Sequence, residues 1–154
     1  MNSELEQKLY RDYPKIFGQK DNDMSVTSMC WGIDTDDGWY TLIDKLCEVI
    51  QNHIDWNNCE GKYEYSKAFT PEKERIEQVE ATQVKSKFGG LRFYVQGGNQ
   101  FTDGAISIAE SISLTTCECC GNLGKSRDTG WVYTFCDACH DSYMAKKNAV
   151  VTVK

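Results

Sequence analysis

The chain has 154 residues, two prolines, twelve glycines, eight cysteines and a formal net charge of −6. That length holds one ordinary core with a small appendage, and the acidic balance excludes broad non-specific adhesion to nucleic acid. No apolar run approaches the length of a membrane span, and no repeat or low-complexity tract is visible.

Ser3-Glu4-Leu5-Glu6 has the S-x-x-E form of a capping box, and Leu5, Leu9 and Tyr13 follow at helical steps, so a helix is expected over residues 3–12, stopped by Pro14. Gly18 to Thr27 reads as a loop. Met29 to Ile33 is a short apolar run, read as a strand or a packed extended segment. In Asp34-Thr35-Asp36-Asp37-Gly38 the acids invite a calcium reading. The glycine falls one place early for an EF-hand loop, however, and Lys45 stands where the bidentate Glu belongs. Capping of the next helix by Asp36 or Asp37 is the expected role.

Trp39 to Ile54 is the strongest helix, with Trp39, Ile43, Leu46 or Cys47, Ile50 and Ile54 on one apolar stripe. Asp55 to Tyr65 reads as irregular structure holding an isolated Cys59, and Pro71-Glu72-Lys73-Glu74 can open a helical turn. Ile76 to Val84 and Leu91 to Val95 read as strands joined through Ser86-Lys87-Phe88-Gly89-Gly90, a hairpin ended by Gly97-Gly98. Thr102 or Asp103 is the expected cap of a third helix, striped by Ala105, Ile108, Ala109 and Ile112. Helix, helix, hairpin, helix predicts an α+β core over residues 1–115.

Residues 116–154 read as a separate metal-binding module. Cys117 and Cys120 form one C-x-x-C pair, Cys136 and Cys139 another, with fifteen residues between. Two thiolates two residues apart fit one tight knuckle, and doubled pairs at this spacing match a four-thiolate structural zinc site. Thr129-Gly130 reads as a turn ahead of the β-rich Trp131 to Phe135, and Asp141 to Ala149 as a helix. Knuckle, hairpin, then a knuckle opening a helix is the treble-clef arrangement, with a plain zinc ribbon as the alternative. Polar Asn2-Ser3-Glu4 after Met1 gives no sign of export, so reduced thiols in a cytoplasmic protein are expected rather than disulfides. Cys136-Asp137-Ala138-Cys139-His140 also spells a haem-attachment motif, but that leaves Cys117 and Cys120 unexplained. Cys119 reads as a spare thiol, and His140 as a neighbour of the site or a substitute for Cys139.

The charge is unevenly placed. Residues 1–80 hold nine Lys and Arg against seventeen Asp and Glu, whereas residues 81–102 hold Lys85, Lys87 and Arg92 and no acid. Around Gly89 and Gly90 these cations can converge on an anion, with Phe88 or Tyr94 stacking a base. A solvated hairpin tip whose cations pair with the acidic body is the plainer alternative.

Tyr13-Pro14-Lys15-Ile16-Phe17, Cys30-Trp31-Gly32 with Asp37-Gly38-Trp39-Tyr40, Gln83-Val84-Lys85 through Phe88-Gly89-Gly90-Leu91-Arg92-Phe93-Tyr94, and the terminal cysteine pairs together resemble an uncharacterised family of small proteins encoded by bacteriophages and prophages. The resemblance implies a setting, the bacterial host cytoplasm during infection, and a role in binding host machinery rather than in turnover. The expectation is a binding protein for a host macromolecule, such as an inhibitor of a defence system. The alternatives are a nucleic-acid-binding regulator or a sponge for a nucleotide signal, both using Lys85, Lys87, Gly89, Gly90, Arg92 and Tyr94. A metal-dependent nuclease is the remaining reading: Gln83-x-Lys85 is similar to the variant end of the PD-(D/E)xK signature, with Asp34, Asp36 or Glu80 as carboxylates. An HNH nuclease would need more histidines than His53 and His140.

Overall fold

The computed structural model describes residues 1–58 and 75–151; Cys59, most of the expected 55–65 loop and the turn at Pro71–Glu74 lie outside the described residues. Helix α1 (Ser3–Asp12) ends ahead of Pro14 as expected, but its cap is Asn2. Asn2 Oδ1 accepts from the Glu4 and Leu5 amides, each at 3.0 Å. The Ser3/Glu6 box does not form because Glu6 is used elsewhere. Its carboxylate accepts from the Ile33 amide at 2.7 Å and the Tyr10 hydroxyl at 3.0 Å. It also fills the space a Cβ on Gly32 (φ +78°) would need, at 2.4 Å.

Met29 to Ile33 divides into a 3₁₀ turn, Ser28–Trp31, and a two-residue strand β1 (Ile33–Asp34). The Thr27 hydroxyl starts the turn by accepting from the Met29 amide at 3.2 Å. Strand β1 runs parallel to β2 (Glu77–Lys87), and β2 pairs antiparallel with β3 (Gly90–Gly98), giving the order β1-β2-β3. Lys87 pairs with Gly90, leaving Phe88 and Gly89 as a two-residue loop with φ of 54° and 73°. Two positive φ values are the signature of a type I′ turn, whose twist suits a hairpin.

Helix α2 (Tyr40–Asn57) follows a 3₁₀ turn, Asp37–Trp39, and buries Ile43, Leu46, Cys47, Ile50 and Ile54 as the stripe predicts. Burial also pushes the Cys47 thiol far up, which marks it as packing. Neither acid caps the turn: Asp36 makes no side-chain cap bond, and Asp37 accepts from the Asn2 amide and side chain at 2.6 and 2.7 Å.

Helix α3 (Gln100–Ser113) starts earlier than expected, capped by Asn99 with Thr102 returning the bond to the Asn99 amide at 2.8 Å. It runs antiparallel to α2. The His53 ring near the end of α2 stacks on Phe101 at 3.9 Å, while Trp39 ahead of α2 donates its indole N–H to Thr116 O at 2.8 Å. Helix α3 also closes the free edge of β3: Leu91 N–H donates to Ser113 Oγ at 2.8 Å and Phe93 N–H to Glu110 Oε1 at 3.1 Å.

Leu9, Ile16, Phe17 and Met29 join α2, Val79, Val84, Leu91 and Phe93 in one buried cluster. Each such side chain contributes about 1.5–3 kcal/mol. Beyond it stand the hairpin β4 (Lys125–Asp128) and β5 (Val132–Phe135), then helix α4 (Asp137–Val151), which begins four residues earlier than expected. The protein is therefore α+β, with its cysteine cluster at the carboxy-terminal end.

Candidate metal centre

The first cysteine pair sits in a tight turn. Cys117 N–H donates to Asn122 O at 2.7 Å and Gly121 N–H to Cys117 O at 2.8 Å, with Gly121 at φ +78° completing the reversal. The second pair straddles the start of α4: Cys136 precedes it, Cys139 lies in its first turn, and the Cys139 amide donates to Cys136 Sγ at 3.4 Å. That amide is the main reason the Cys136 thiol is held down to about 7.

All four Sγ atoms of Cys117, Cys120, Cys136 and Cys139 lie within 4.8 Å of one another, and those of Cys120 and Cys136 are 3.7 Å apart. An ion with sulfur arms of about 2.3 Å needs tetrahedral edges of about 3.8 Å. The donor set and the spacing therefore fit a four-coordinate metal ion. The four cysteines are free thiols here, and Cys119 and His140 stand outside the set: Cys119 is exposed, and His140 Nδ1 lies 3.3 Å from Asp141 Oδ1.

The turn that carries Cys117 and Cys120 is pressed onto the core. Gly38 N–H donates to Glu118 O at 2.7 Å, and a Cβ on Gly38 would sit 2.3 Å from Cys117 O and 2.5 Å from Gly121 N. Here lies the reason for the glycine in Asp37-Gly38: it admits the cysteine turn. Glu118 is buried between the two parts. Its amide donates to Thr134 O at 2.9 Å, and its carboxylate accepts from Ser86 Oγ on β2 at 2.9 Å. Burial, opposed by the Ser86 bond, pushes its carboxyl up to about 7. Thr134 Oγ1 in turn donates to Gly89 O at 2.6 Å. Neither Glu118 nor Thr134 carried a sequence signal, since a polar residue between cysteines or on a short strand reads as solvated.

These contacts change what the basic island offers. Gly89 lies against Tyr133 and Thr134 (3.1–3.3 Å from the position of a Cβ), and Gly90 lies against Leu114 at 3.0 Å. Both glycines thus serve close packing against the segments that follow α3. Lys85 and Arg92 are cross-strand partners on one face, and Asp34 of β1 stands beside Lys85 in the adjoining register. Arg92 donates to Leu91 O at 2.6 Å and lies 3.7 Å from Glu110 Oε2. Lys85 lies over the Tyr94 ring at 5.8 Å and Lys87 over Phe88 at 5.4 Å. The structure brings the six residues onto one hairpin but gives Lys85 and Arg92 acidic neighbours.

The carboxylates raised by the calcium and nuclease readings do not gather into a ligand group, although burial and the nearby Asp37 and Asp34 push the Asp36 carboxyl up. Asp34 lies in β1, Asp37 is engaged by Asn2, and Glu80 accepts from Gln19 at 3.0 Å. Among the described residues, the four cysteines are the one group of three or more metal-ligating side chains that gathers. None of the described helices is long and apolar enough to cross a membrane.

Fold and site together define an α+β protein with a four-cysteine centre whose sulfur atoms could hold a metal ion. Set against family models, curated proteins and solved structures, the chain matches none of them.

Proposed function

We propose that the chain is a zinc-containing binding protein that engages a host macromolecule, with the cysteine module and the β2–β3 turn as parts of one rigid face. Four thiolates on a tetrahedron favour zinc, and with every position occupied by protein sulfur the ion serves structure. The observation that carries the binding reading is Phe88. Among the described residues it is the one non-glycine residue with positive φ, and it is 69% exposed. A bulky side chain in the left-handed region costs about 1–3 kcal/mol, and an exposed ring with Lys87 over it at 5.4 Å recovers little of that. Strained positions of this kind cluster at ligand clamps and switch regions, so we read the ring as one that a partner covers. Trp131 stands 64% exposed two residues from Tyr133, whose backbone abuts Gly89.

The acidic neighbours of Lys85 and Arg92 favour a protein partner over nucleic acid or a nucleotide. In the bacterial cytoplasm implied by the resemblance to phage-encoded proteins, that partner is a host protein, and inhibition of a defence system is the outcome we expect. The test is affinity purification from infected cells with the native chain and Phe88→Asn, with metal and nucleotides measured in the same eluates. A stoichiometric protein lost on Phe88→Asn, with one zinc per chain, supports the reading. Recovery of nucleic acid or nucleotide alone, or of purified chain without zinc, overturns it.

A further inference from the structure

Five cysteines meet at a centre that needs four. A tetrahedral ion is saturated by Cys117, Cys120, Cys136 and Cys139, and Cys119 is left over between two of them. The other described thiols outside the set are accounted for by packing or bonding. Cys47 is fully buried in the core, and Cys30 donates to Thr27 O at 3.2 Å. Cys119 is exposed instead. An exposed thiol is the one that oxidants reach first.

The turn decides where that thiol points. Glu118 faces inward, its amide donating to Thr134 O at 2.9 Å and its carboxylate accepting from Ser86 Oγ at 2.9 Å. The next residue therefore faces outward, and its sulfur comes within hydrogen-bonding reach of the Cys139 thiol. Cys139 is half-buried, in the first turn of α4. Cys119 belongs to the first knuckle and Cys139 to the second, so a bond between them crosses the site rather than closing one knuckle. An accessible thiol beside a second sulfur that can attack it is the arrangement a redox sensor needs.

We propose that Cys119 and Cys139 are an oxidation-sensitive pair: a hydroperoxide oxidises Cys119, Cys139 closes a disulfide on it, and the ion loses its fourth sulfur and leaves. In the first step the Cys119 sulfur takes one peroxide oxygen as the O–O bond breaks, giving a sulfenic acid and one water. In the second, the Cys139 sulfur attacks the Cys119 sulfur. The S–S bond forms, the S–O bond breaks, and the departing hydroxide takes a proton to become the second water. The two cysteines give up two electrons, and the peroxide accepts them. A thiol reductant reverses the change by exchange, after which the centre can refill. Resting on the zinc reading above, the pair makes the module's binding face one that an oxidant dismantles.

The test uses the full chain loaded with zinc, its metal content measured first. Hydrogen peroxide is added in equimolar amount, zinc release is followed with a metallochromic dye, and the disulfide is located by fragmenting non-reduced peptides. The native chain should release its zinc and carry a Cys119–Cys139 disulfide, and dithiothreitol with added zinc should restore it. Cys119→Ser, at an exposed position outside the ligand set, should hold the same zinc and release it roughly tenfold more slowly. Amide exchange on the loaded variant separates a slower reaction from an altered fold. Release from Cys119→Ser as fast as from the native chain overturns the inference and leaves the zinc reading intact. A disulfide confined to Cys117–Cys120 or to Cys136–Cys139 does the same. A chain that holds no zinc before the oxidant overturns both.

Discussion

The core and the cysteine module meet the same requirement, an ordered surface, by different physical means. Around α2 the chain buries Trp39, Ile43, Ile50, Ile54, Val79, Val84 and Leu91 completely or nearly so, and apolar burial alone accounts for order there. In the module, the described side chains include just two buried hydrophobic residues, Cys117 and Phe135. Tyr143 of α4 reaches the Tyr133 and Phe135 rings at 5.3 and 5.7 Å, and those two rings stack at 4.9 Å. A segment with so small an interior would draw its order from an ion held by the four cysteines, since binding free energies in structural zinc sites are of the order of 10–16 kcal/mol. The largest expected effect follows. Chelation, or Cys136→Ser, should abolish amide-exchange protection across residues 116–149 while α2 and the β2–β3 hairpin keep theirs. Equal loss in both parts would mean that the module is integral to the core.

The seam between them gives a smaller effect. Trp39 is buried in the core, yet its indole N–H donates to Thr116 O at the start of the module. Trp39→Phe keeps most of the ring and leaves that carbonyl without its donor, at a cost of about 1–3 kcal/mol. Denaturant unfolding should show the loss at unchanged slope, with module protection falling first. A loss confined to α2 would show that the indole bond does not couple the two parts.

The contrast also explains what could be read from the chain alone. The stripe of α2, the alternation of Leu91, Phe93 and Val95, and the doubled C-x-x-C are periodic or fixed-spacing signals, and each depends on residues close in sequence. What escaped was long-range. The Ser3/Glu6 box was displaced because Glu6 answers Ile33, and the Asp36/Asp37 cap because Asp37 answers Asn2. Gly38 is required by Cys117 and Gly121, far along the chain but in direct contact with it. Gly89 and Gly90 carry the signal of a phosphate-accessible turn, yet Thr134 and Leu114 lie against them. A short polar or glycine residue leaves many partners open, and tertiary contact selects among them. The cysteines leave few.

Phe88 sharpens the comparison because stability and binding should respond in opposite directions. Asparagine tolerates the left-handed region, so Phe88→Asn should stabilise the fold by about 1 kcal/mol. The same change should remove the host partner. Thermal unfolding with a rise of a few degrees, set beside an empty affinity eluate, is the paired result expected. A destabilised variant would show that the ring packs on the protein itself.

The smallest effect lies at Asp37, next to Gly38. Asp37 accepts from both the amide and the side chain of Asn2, and these bonds hold its carboxyl below the usual range. Because the folded group releases its proton more readily than the unfolded one, the clasp is at full strength above the ordinary carboxylate value. It is lost as pH falls through the lower folded one. The site is exposed, so its worth is a few tenths of a kcal/mol. Acid would also protonate the module's thiolates and release an ion held there, so a global unfolding curve would mix the two. The Asn2 amide shift in an NMR titration reads the clasp by itself. Its midpoint should fall below the ordinary carboxylate value of 3.8 and vanish in Asp37→Asn. A midpoint at or above that value would mean that the bonds to Asn2 do not hold in solution, and that α1 is tied to the core by Glu6 and its buried side chains instead.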